Sequence, residues 1–236
     1  MHKPQQMKAK LAEKQVFNEK FTQYTFELVE PNSIEFDPGQ YISIVVDEDG
    51  DRRSYSIAST PENMHGFELL IDHSPQGVGT GFLQKLEFGQ EVDIMGPLGR
   101  FILEPDGKEE ELIFVATGSG VAPFRSMILE LLHEKKETRP MTLYWGLRYV
   151  ENMFWQNEFQ DLAENFHNFK FHPVISRAVE DWPLCRGRVT DCLSIHQVPI
   201  NGAYYLCGST KMIEEVNNML QKKGVVQENI HFEKFF

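Results

Sequence analysis

Between residues 8 and 103, apolar and polar positions alternate in short runs. QYTFELVE, QYISIVV, SYSIAS and FELLID are rich in β-branched and aromatic residues, and PNS, DPG, DEDGD and PENMHG separate such runs. A period of two over stretches this short predicts antiparallel strands, and their succession predicts a small closed barrel. EPDGKEEE, residues 104–111, interrupts the pattern with proline, glycine and charge, as a domain linker does. Beyond it, strand-like runs alternate with amphipathic ones: ELIFVA before PFRSMILELLHEKK, MTLYWGL before WQNEFQDLAENF, KFHPVIS, AYYLCG before TKMIEEVNNMLQKKG, and NIHFE. This alternation predicts βα units on a parallel sheet. The expected architecture is two domains, an antiparallel β-barrel over residues 1–105 and an α/β parallel-sheet domain over residues 106–236.

A parallel sheet holds its ligand at the carboxyl ends of its strands, where helix N-termini point. The run LIFVA, residues 112–116, empties there into TGSGVAPF, residues 117–124. Gly118 and Gly120 permit close backbone approach, the following helix directs unpaired N–H groups outward, and Pro123 suits a first helical turn because its missing N–H would have no partner there. A phosphate is the natural occupant, although a plain strand-to-helix turn has the same pattern. No Gly-Lys-Ser/Thr follows, so this is not a P-loop, and there is no G-x-S-x-G elbow. In the first half, RRSYSIAS at 52–59 sets the Arg53 guanidinium, the Tyr55 ring and the Ser56 hydroxyl next to one another. Taken alone, these read as a solvated charge and a barrel side chain.

Charge narrows the class of ligand. The net charge is −12, with 9 basic against 18 acidic residues over 1–107 and 14 against 17 over 108–236. A nucleic-acid partner requires a basic face and is not expected. The second half is the better place for a phosphorylated ligand. MHKPQQMKAK has no apolar core of a leader peptide and no run approaches a membrane span, so a cytoplasmic protein with no membrane attachment is expected. Cys185, Cys192 and Cys207 form no CxxC and cannot make a four-cysteine cluster site. Cys185 and Cys192 are expected to be reduced thiols, and no metal is expected.

The motifs in order carry a resemblance. PGQY at 38–41, RRSYS at 52–56, GVGTGFL at 77–83, GPLGRF at 96–101, TGSGVAPF at 117–124, YWGLR at 144–148, ISR at 175–177, RGRVT at 186–190, YLCGSTKM at 205–212 and EKF at 233–235 together resemble the ferredoxin–NADP reductase superfamily of flavoproteins, over roughly residues 8–236. The resemblance implies a flavin-binding barrel followed by an NAD(P)-binding domain. It implies that Arg53 binds flavin phosphate, that Tyr55 lies against the isoalloxazine, and that the Ser56 hydroxyl sits near flavin N5. Gly77, Val78, Gly79 and Thr80 would cover the flavin pyrophosphate, which favours FAD over FMN. Thr117, Gly118, Gly120, Val121 and Pro123 would belong to the nicotinamide-dinucleotide loop, with Gly146 and Arg148 lining the same groove. Ser176, Arg177 and Arg188 resemble positions that meet the 2′-phosphate, with Arg186 a possible companion, and this favours NADPH over NADH as hydride donor.

At YLCGSTKM the resemblance sets Cys207 and Gly208 against the nicotinamide ring, with Met212 in the same site. The ending HFEKFF parallels a Glu-x-Tyr terminus, which makes Glu233 an acid near the hydride path and Phe235, or Phe236, the aromatic on the second flavin face. Ser56, Cys207 and Glu233 are thus the candidate catalytic residues. The implied activity is hydride transfer from NAD(P)H to flavin N5, then electron passage to a separate acceptor. No cluster-binding segment is present, so a ferredoxin, flavodoxin or oxygenase component is the expected partner of a monomeric chain. Lys3, Lys8, Lys10 and Lys14 are candidates for a docking patch, or simply solvated charges. The alternatives are a flavin reductase that releases reduced flavin, and an electron-transfer or redox-sensing subunit active only in a complex.

Overall fold

The computed structural model of the chain describes residues 2–104, 107–196 and 198–235. Contacts divide it into two compact units, residues 1–103 with 122–135, and residues 104–121 with 136–236.

The first unit is built on six strands: β1 (Gln5–Val16), β2 (Phe21–Glu30), β3 (Tyr41–Val45), β4 (Arg52–Ser56), β5 (Gly66–Asp72) and β6 (Glu91–Leu98). They are antiparallel, in the order β4-β3-β6-β1-β2-β5. The outer strands approach one another where Ile57 bridges Leu69 and the Ala58 N–H donates to the Glu68 carbonyl at 2.8 Å. The sheet is therefore a near-barrel, antiparallel as the period of two requires, joined at its seam by these contacts. Alternation decides its core: Ile42 and Ile44 of β3 and Phe67, Leu69 and Ile71 of β5 are almost wholly buried. Phe26 and Phe67 stack across β2 and β5 at 5.4 Å, each buried side chain contributing about 1.5–3 kcal/mol. A helix, α1 (Val78–Lys85), plugs this unit through buried Leu83.

Helix α2 (Ala122–Leu129) continues into a π turn over Glu130–Glu134 and packs with the first unit. Arg125 donates to the Ala58 carbonyl at 3.0 Å and to Glu68 Oε2 at 2.6 Å, and Ser126 Oγ donates to the Ser59 carbonyl at 2.6 Å.

The second unit is a wholly parallel sheet of β7 (Glu111–Thr117), β8 (Met141–Leu147), β9 (Phe169–Ile175), β10 (Cys185–Arg186), β11 (Gly202–Ser209) and β12 (Ile230–Phe235), in the order β10-β9-β8-β7-β11-β12. Its central strands read as near-continuous apolar runs because both faces are covered. Helices α3 (Gln156–Asn165), α4 (Val189–Ile195) and α5 (Thr210–Lys222) complete it. From β7 the chain winds outward through β8, β9 and β10, then returns to the other side of β7 as β11. The switch point therefore lies between β7 and β11.

Two features depart from expectation. The pair β10 and α4 is missing from the periodicity, since a two-residue strand has no period and VTDCLSI is only two helical turns long. The second is the state of the cysteines, for Cys185 and Cys192 are joined in a disulfide and not reduced. Gly187, at φ +92°, turns the chain from β10 into α4 and brings the two Cα atoms to 5.8 Å, within bridging range. An odd cysteine count leaves room for one bridge and one free thiol, here the buried Cys207.

Candidate functional site

In the first unit the alternation of β4 sorts its side chains. Arg52 turns to β3, donating from Nε to Ser43 Oγ and from Nη2 to the Ser43 carbonyl, both at 3.3 Å. Arg53 and Tyr55, two residues apart, share the other face. Gly79 of α1 lies directly on them: a Cβ there would collide with the Tyr55 hydroxyl and stand 2.7 Å from Arg53 Cγ. Only a residue without a side chain lets the first turn of α1 reach this strand. That brings together the two motifs assigned to the flavin, RRSYS and GVGTG.

The Arg53 guanidinium donates to the Arg52 carbonyl at 2.7 Å and faces Asp51 at 3.8 Å, with its side chain 44% exposed, so most of its five donors remain open to an anion. The first N–H groups of α1, from Val78 onward, have no intrahelical acceptor and add to that character. Thr80 Oγ1 donates to the Gly77 carbonyl at 3.0 Å and steadies the turn. Burial pushes the Tyr55 phenol up to about 12, so it stays a neutral ring. Ser56 is buried at the end of β4, and its hydroxyl makes no hydrogen bond among the described residues. Anion donors, an aromatic face and a hydroxyl without a protein partner are a set that FAD fits.

In the second unit the switch point holds the other group. Thr117 ends β7, and Gly118–Val121 form a 3-10 turn leading into α2. Gly120 stands where β11 ends: a Cβ would lie 2.6 Å from the Cys207 carbonyl carbon and 2.8 Å from Gly208 Cα. Thr117 Oγ1 accepts the Ser209 N–H at 3.2 Å and locks the two strand ends together. Ser209 in turn caps α5, its Oγ accepting the Met212 N–H at 3.3 Å. The 3-10 turn of Gly118–Val121 and the N-terminus of α5 thus open at one crevice of the second unit, an arrangement suited to a pyrophosphate. Gly146, at the end of β8, lies against Val189 and Thr117, and Arg148 beyond it is exposed. Val121, Pro123 and Met212 are buried, with Met212 in the α4–α5 core.

Trp145 was not singled out by the motifs, although it sits inside YWGLR. Its Nε1 donates to the Gly118 carbonyl at 2.9 Å and fixes the glycine turn. Phe154, from the aromatic MFW segment, packs edge-on against it at 4.7 Å.

The arginines cluster by register. β9 and β10 are parallel, with Cys185 opposite Val174 and Arg186 opposite Ile175, so Ser176–Arg177 and Gly187–Arg188 leave the sheet side by side. Arg177 donates to the Tyr149 hydroxyl at 2.7 Å and lies 5.7 Å from that ring. Arg188 donates to Glu215 at 3.1 Å with its side chain 58% exposed, an ion pair that a dianion could displace. Arg186 differs: it donates to the Glu180 and Trp182 carbonyls and ties its own loop.

Cys207 is fully buried, and burial together with the nearby Glu233 carboxylate raises its thiol well above the usual range. A thiol so raised stays protonated near neutrality. Glu233 is opposite Cys207 in the β11–β12 register, and burial lifts its carboxyl to about 7. Phe235 stands opposite Ser209, and Phe236 lies outside the described residues. Lys8 and Lys10 are paired with Asp93 at 3.1 Å and Glu27 at 2.9 Å, and Lys14 donates to the Gln84 carbonyl. Their charge is largely answered locally.

The raised Glu233 carboxyl has a measurable sign. An acid whose folded pKa exceeds its unfolded value stabilises the fold fully only below the unfolded value, and that stability is lost as pH rises through about 7. Allowing for partial exposure, the loss is on the order of 1–2 kcal/mol. Thermal melts of the wild type and Glu233→Gln at pH 5 and pH 8 should differ, with the wild type losing more than the variant by about 2–6 °C. Parallel pH dependences would place the carboxyl in its ordinary range.

Comparison with known proteins accords with both halves. An oxidoreductase FAD-binding domain family matches residues 8–102, and an oxidoreductase NAD-binding domain family matches residues 114–218. The electron transfer component of anthranilate 1,2-dioxygenase from Acinetobacter baylyi is 32% identical over 204 residues, covering 86% of this chain and 59% of its own. Ferredoxin–NADP reductase B of Sorangium cellulosum is 28% identical over 221 residues, 89% of this chain and 90% of its own. The crystal structure of the Amycolatopsis cytochrome P450 reductase GcoB superposes with a TM-score of 0.91 at 26% identity, covering all of this chain and 71% of that one. The chain spans about three fifths of the length of the first curated relatives it matches. No helix among the described residues is long and apolar enough to cross a membrane. With an FAD-binding antiparallel near-barrel followed by an NAD-binding parallel α/β unit, the chain belongs to the ferredoxin–NADP reductase superfamily of flavoprotein oxidoreductases.

Proposed function

We propose that the chain takes hydride from NADPH, in preference to NADH, and passes the electrons to a separate redox protein, with an oxygenase component favoured over a ferredoxin or flavodoxin. The observation that carries the nicotinamide half is the interlock of Gly120 with Cys207–Gly208 at the switch point, which forms a crevice faced by the 3-10 turn of Gly118–Val121 and the N-terminus of α5. The choice of partner is supported by relatives named as an electron transfer component of a dioxygenase and as reductase components of monooxygenases.

When bound, FAD supplies the ring nitrogen that accepts hydride and the capacity to release electrons one or two at a time. The chain's own residues hold and orient. Arg53 and the first turn of α1 would hold the flavin phosphates, Tyr55 would offer a neutral ring to the isoalloxazine, and the Ser56 hydroxyl would serve the accepting nitrogen. Thr117–Val121 and the start of α5 take the dinucleotide pyrophosphate. Cys207 and Gly208 would abut the nicotinamide, and the absence of a side chain at Gly208 lets the end of β11 lie against Thr117. Glu233, with a carboxyl that titrates near neutrality, can hold or release a proton beside Cys207.

The 2′-phosphate preference is tested with the double variant Arg177→Ala, Arg188→Ala. Each charge-assisted contact contributes on the order of 1.5–3 kcal/mol, or roughly one to two decades in affinity. KM for NADPH should rise at least tenfold while KM for NADH stays nearly constant, and the effect should shrink at high salt. Equal weakening of both cofactors would assign the arginines to the shared pyrophosphate or to the fold. A wild type that already prefers NADH in anaerobic absorbance titrations would overturn the preference for NADPH and leave the flavin chemistry standing.

A further inference from the structure

We propose that Cys185 and Cys192 form a reversible thiol–disulfide site that sets the grip of the adjoining arginine loop on the 2′-phosphate end of the dinucleotide, which rests on the role given above to Arg188. The two cysteines close a short covalent ring over Arg186, Gly187 and Arg188. Its first anchor, β10, is only two residues of edge strand, which by itself has little to hold it. Its second anchor, Cys192, is 1% exposed within α4, in the core that also holds Val189, Leu193 and Met212. Arg188 stands between them as the residue that starts α4, its N–H bound to Asp191 at 2.7 Å. The bond therefore ties the loop that carries the arginine to the rigid part of the unit.

The site is arranged for exchange. Cys185 is the half-buried partner and the one a reductant can reach, while Cys192 is enclosed. His196 Nε2 lies 3.9 Å from Cys185 Sγ, and the two sulfurs and a His196 ring nitrogen all fall within 4.8 Å of one another. The His172 and Tyr144 rings lie tilted against the His196 ring at 4.6 Å and 5.7 Å, which keeps the imidazole beside the sulfurs. Attack by one thiolate of a dithiol on Cys185 Sγ forms a mixed disulfide and expels Cys192 as a thiolate, which His196 is placed to protonate. The second thiol of the reductant then attacks its own mixed sulfur, releasing Cys185 as a thiol and leaving the reductant as a disulfide. Two electrons and two protons pass from the dithiol to the protein. In a reducing compartment a bond of this kind is a redox-responsive one.

A loop held by a covalent tie binds its ligand with less ordering cost than one held by hydrogen bonds alone. The test uses FAD-loaded protein in two states, treated either with a mild thiol oxidant or with dithiothreitol, then desalted anaerobically. Alkylation under denaturing conditions with mass readout should trap one thiol in the oxidised state and three in the reduced state. KM for NADPH should rise about three- to tenfold on reduction, with KM for NADH changing less than about twofold. Cys185→Ser should show the reduced-state value under both treatments. Three free thiols after oxidation overturn the proposal. So does a thiol count that changes while KM for NADPH does not, and if Arg188→Ala still raises that KM, the role of Arg188 survives the loss of the clasp. Arg188→Ala with no effect on NADPH overturns that role itself, whatever the thiol count.

Discussion

Gly120→Ala is expected to leave FAD bound while raising KM for both NADH and NADPH more than tenfold. The added methyl would meet backbone and not a movable side chain, at 2.6 Å from the Cys207 carbonyl carbon and 2.8 Å from Gly208 Cα. The glycine turn and the end of β11 must then separate. Separation also strains the Thr117–Ser209 hydrogen bond and shifts the N-terminus of α5. Overpacking of this kind costs typically 1–3 kcal/mol of stability, so the variant should fold and melt a few degrees lower. Steady-state kinetics with each nicotinamide cofactor, beside the flavin spectrum of the purified variant, separate the two effects. Unchanged KM values would mean that the crevice between β7 and β11 receives no dinucleotide.

The double variant Arg53→Ala, Tyr55→Ala should be purified with little or no flavin. Loss of the guanidinium removes a charge-assisted phosphate contact of about 1.5–3 kcal/mol, and loss of the ring removes a stacking surface of about 0.5–1.5 kcal/mol. Together these correspond to roughly two decades or more in affinity. The fold should persist, because Arg53 is exposed and Tyr55 lies at the edge of the barrel core and not inside it. Arg52→Ala is the matched control: its guanidinium faces Ser43, so flavin content should stay near that of the wild type. Full flavin content in the double variant would sink the assignment of RRSYS to the flavin.

Much of the architecture was legible because it depends on period. A two-residue repeat with turn residues between runs predicts antiparallel strands whatever the partner, and β2, β3, β4 and β5 fall where QYTFELVE, QYISIVV, SYSIAS and FELLID stand. The alternation of apolar runs with amphipathic ones likewise marks β7, β8, β9 and β11 and the helices after them. What escaped was short. β10 has two residues and α4 has seven, so neither displays a repeat, and both are held by neighbours: β10 by β9, and α4 by the core it shares with α5.

Candidate residues were legible as types, through motifs such as RRSYS and TGSGVAPF, because a guanidinium, a ring and a glycine turn have chemistry of their own. Partnership was not. That Arg53 is open to an anion while Arg52 is spent on Ser43 follows from which face of β4 each occupies, and the register with β3 sets that. That the Arg186 guanidinium holds its own loop while that of Arg188 meets the half-buried Glu215 depends on where residues 180–182 fold back. Trp145 gains its role from the Gly118 carbonyl, 27 positions away in the chain. Cys185 and Cys192 carry no spacing signature, and only the turn at Gly187 brings them within bonding range. By itself the sequence determined element type, domain order and the chemistry on offer, since these are properties of periods and side chains. Which groups meet, and which are already committed, was decided by the tertiary structure, because burial and hydrogen-bond partners are set by distant segments that no local pattern encodes.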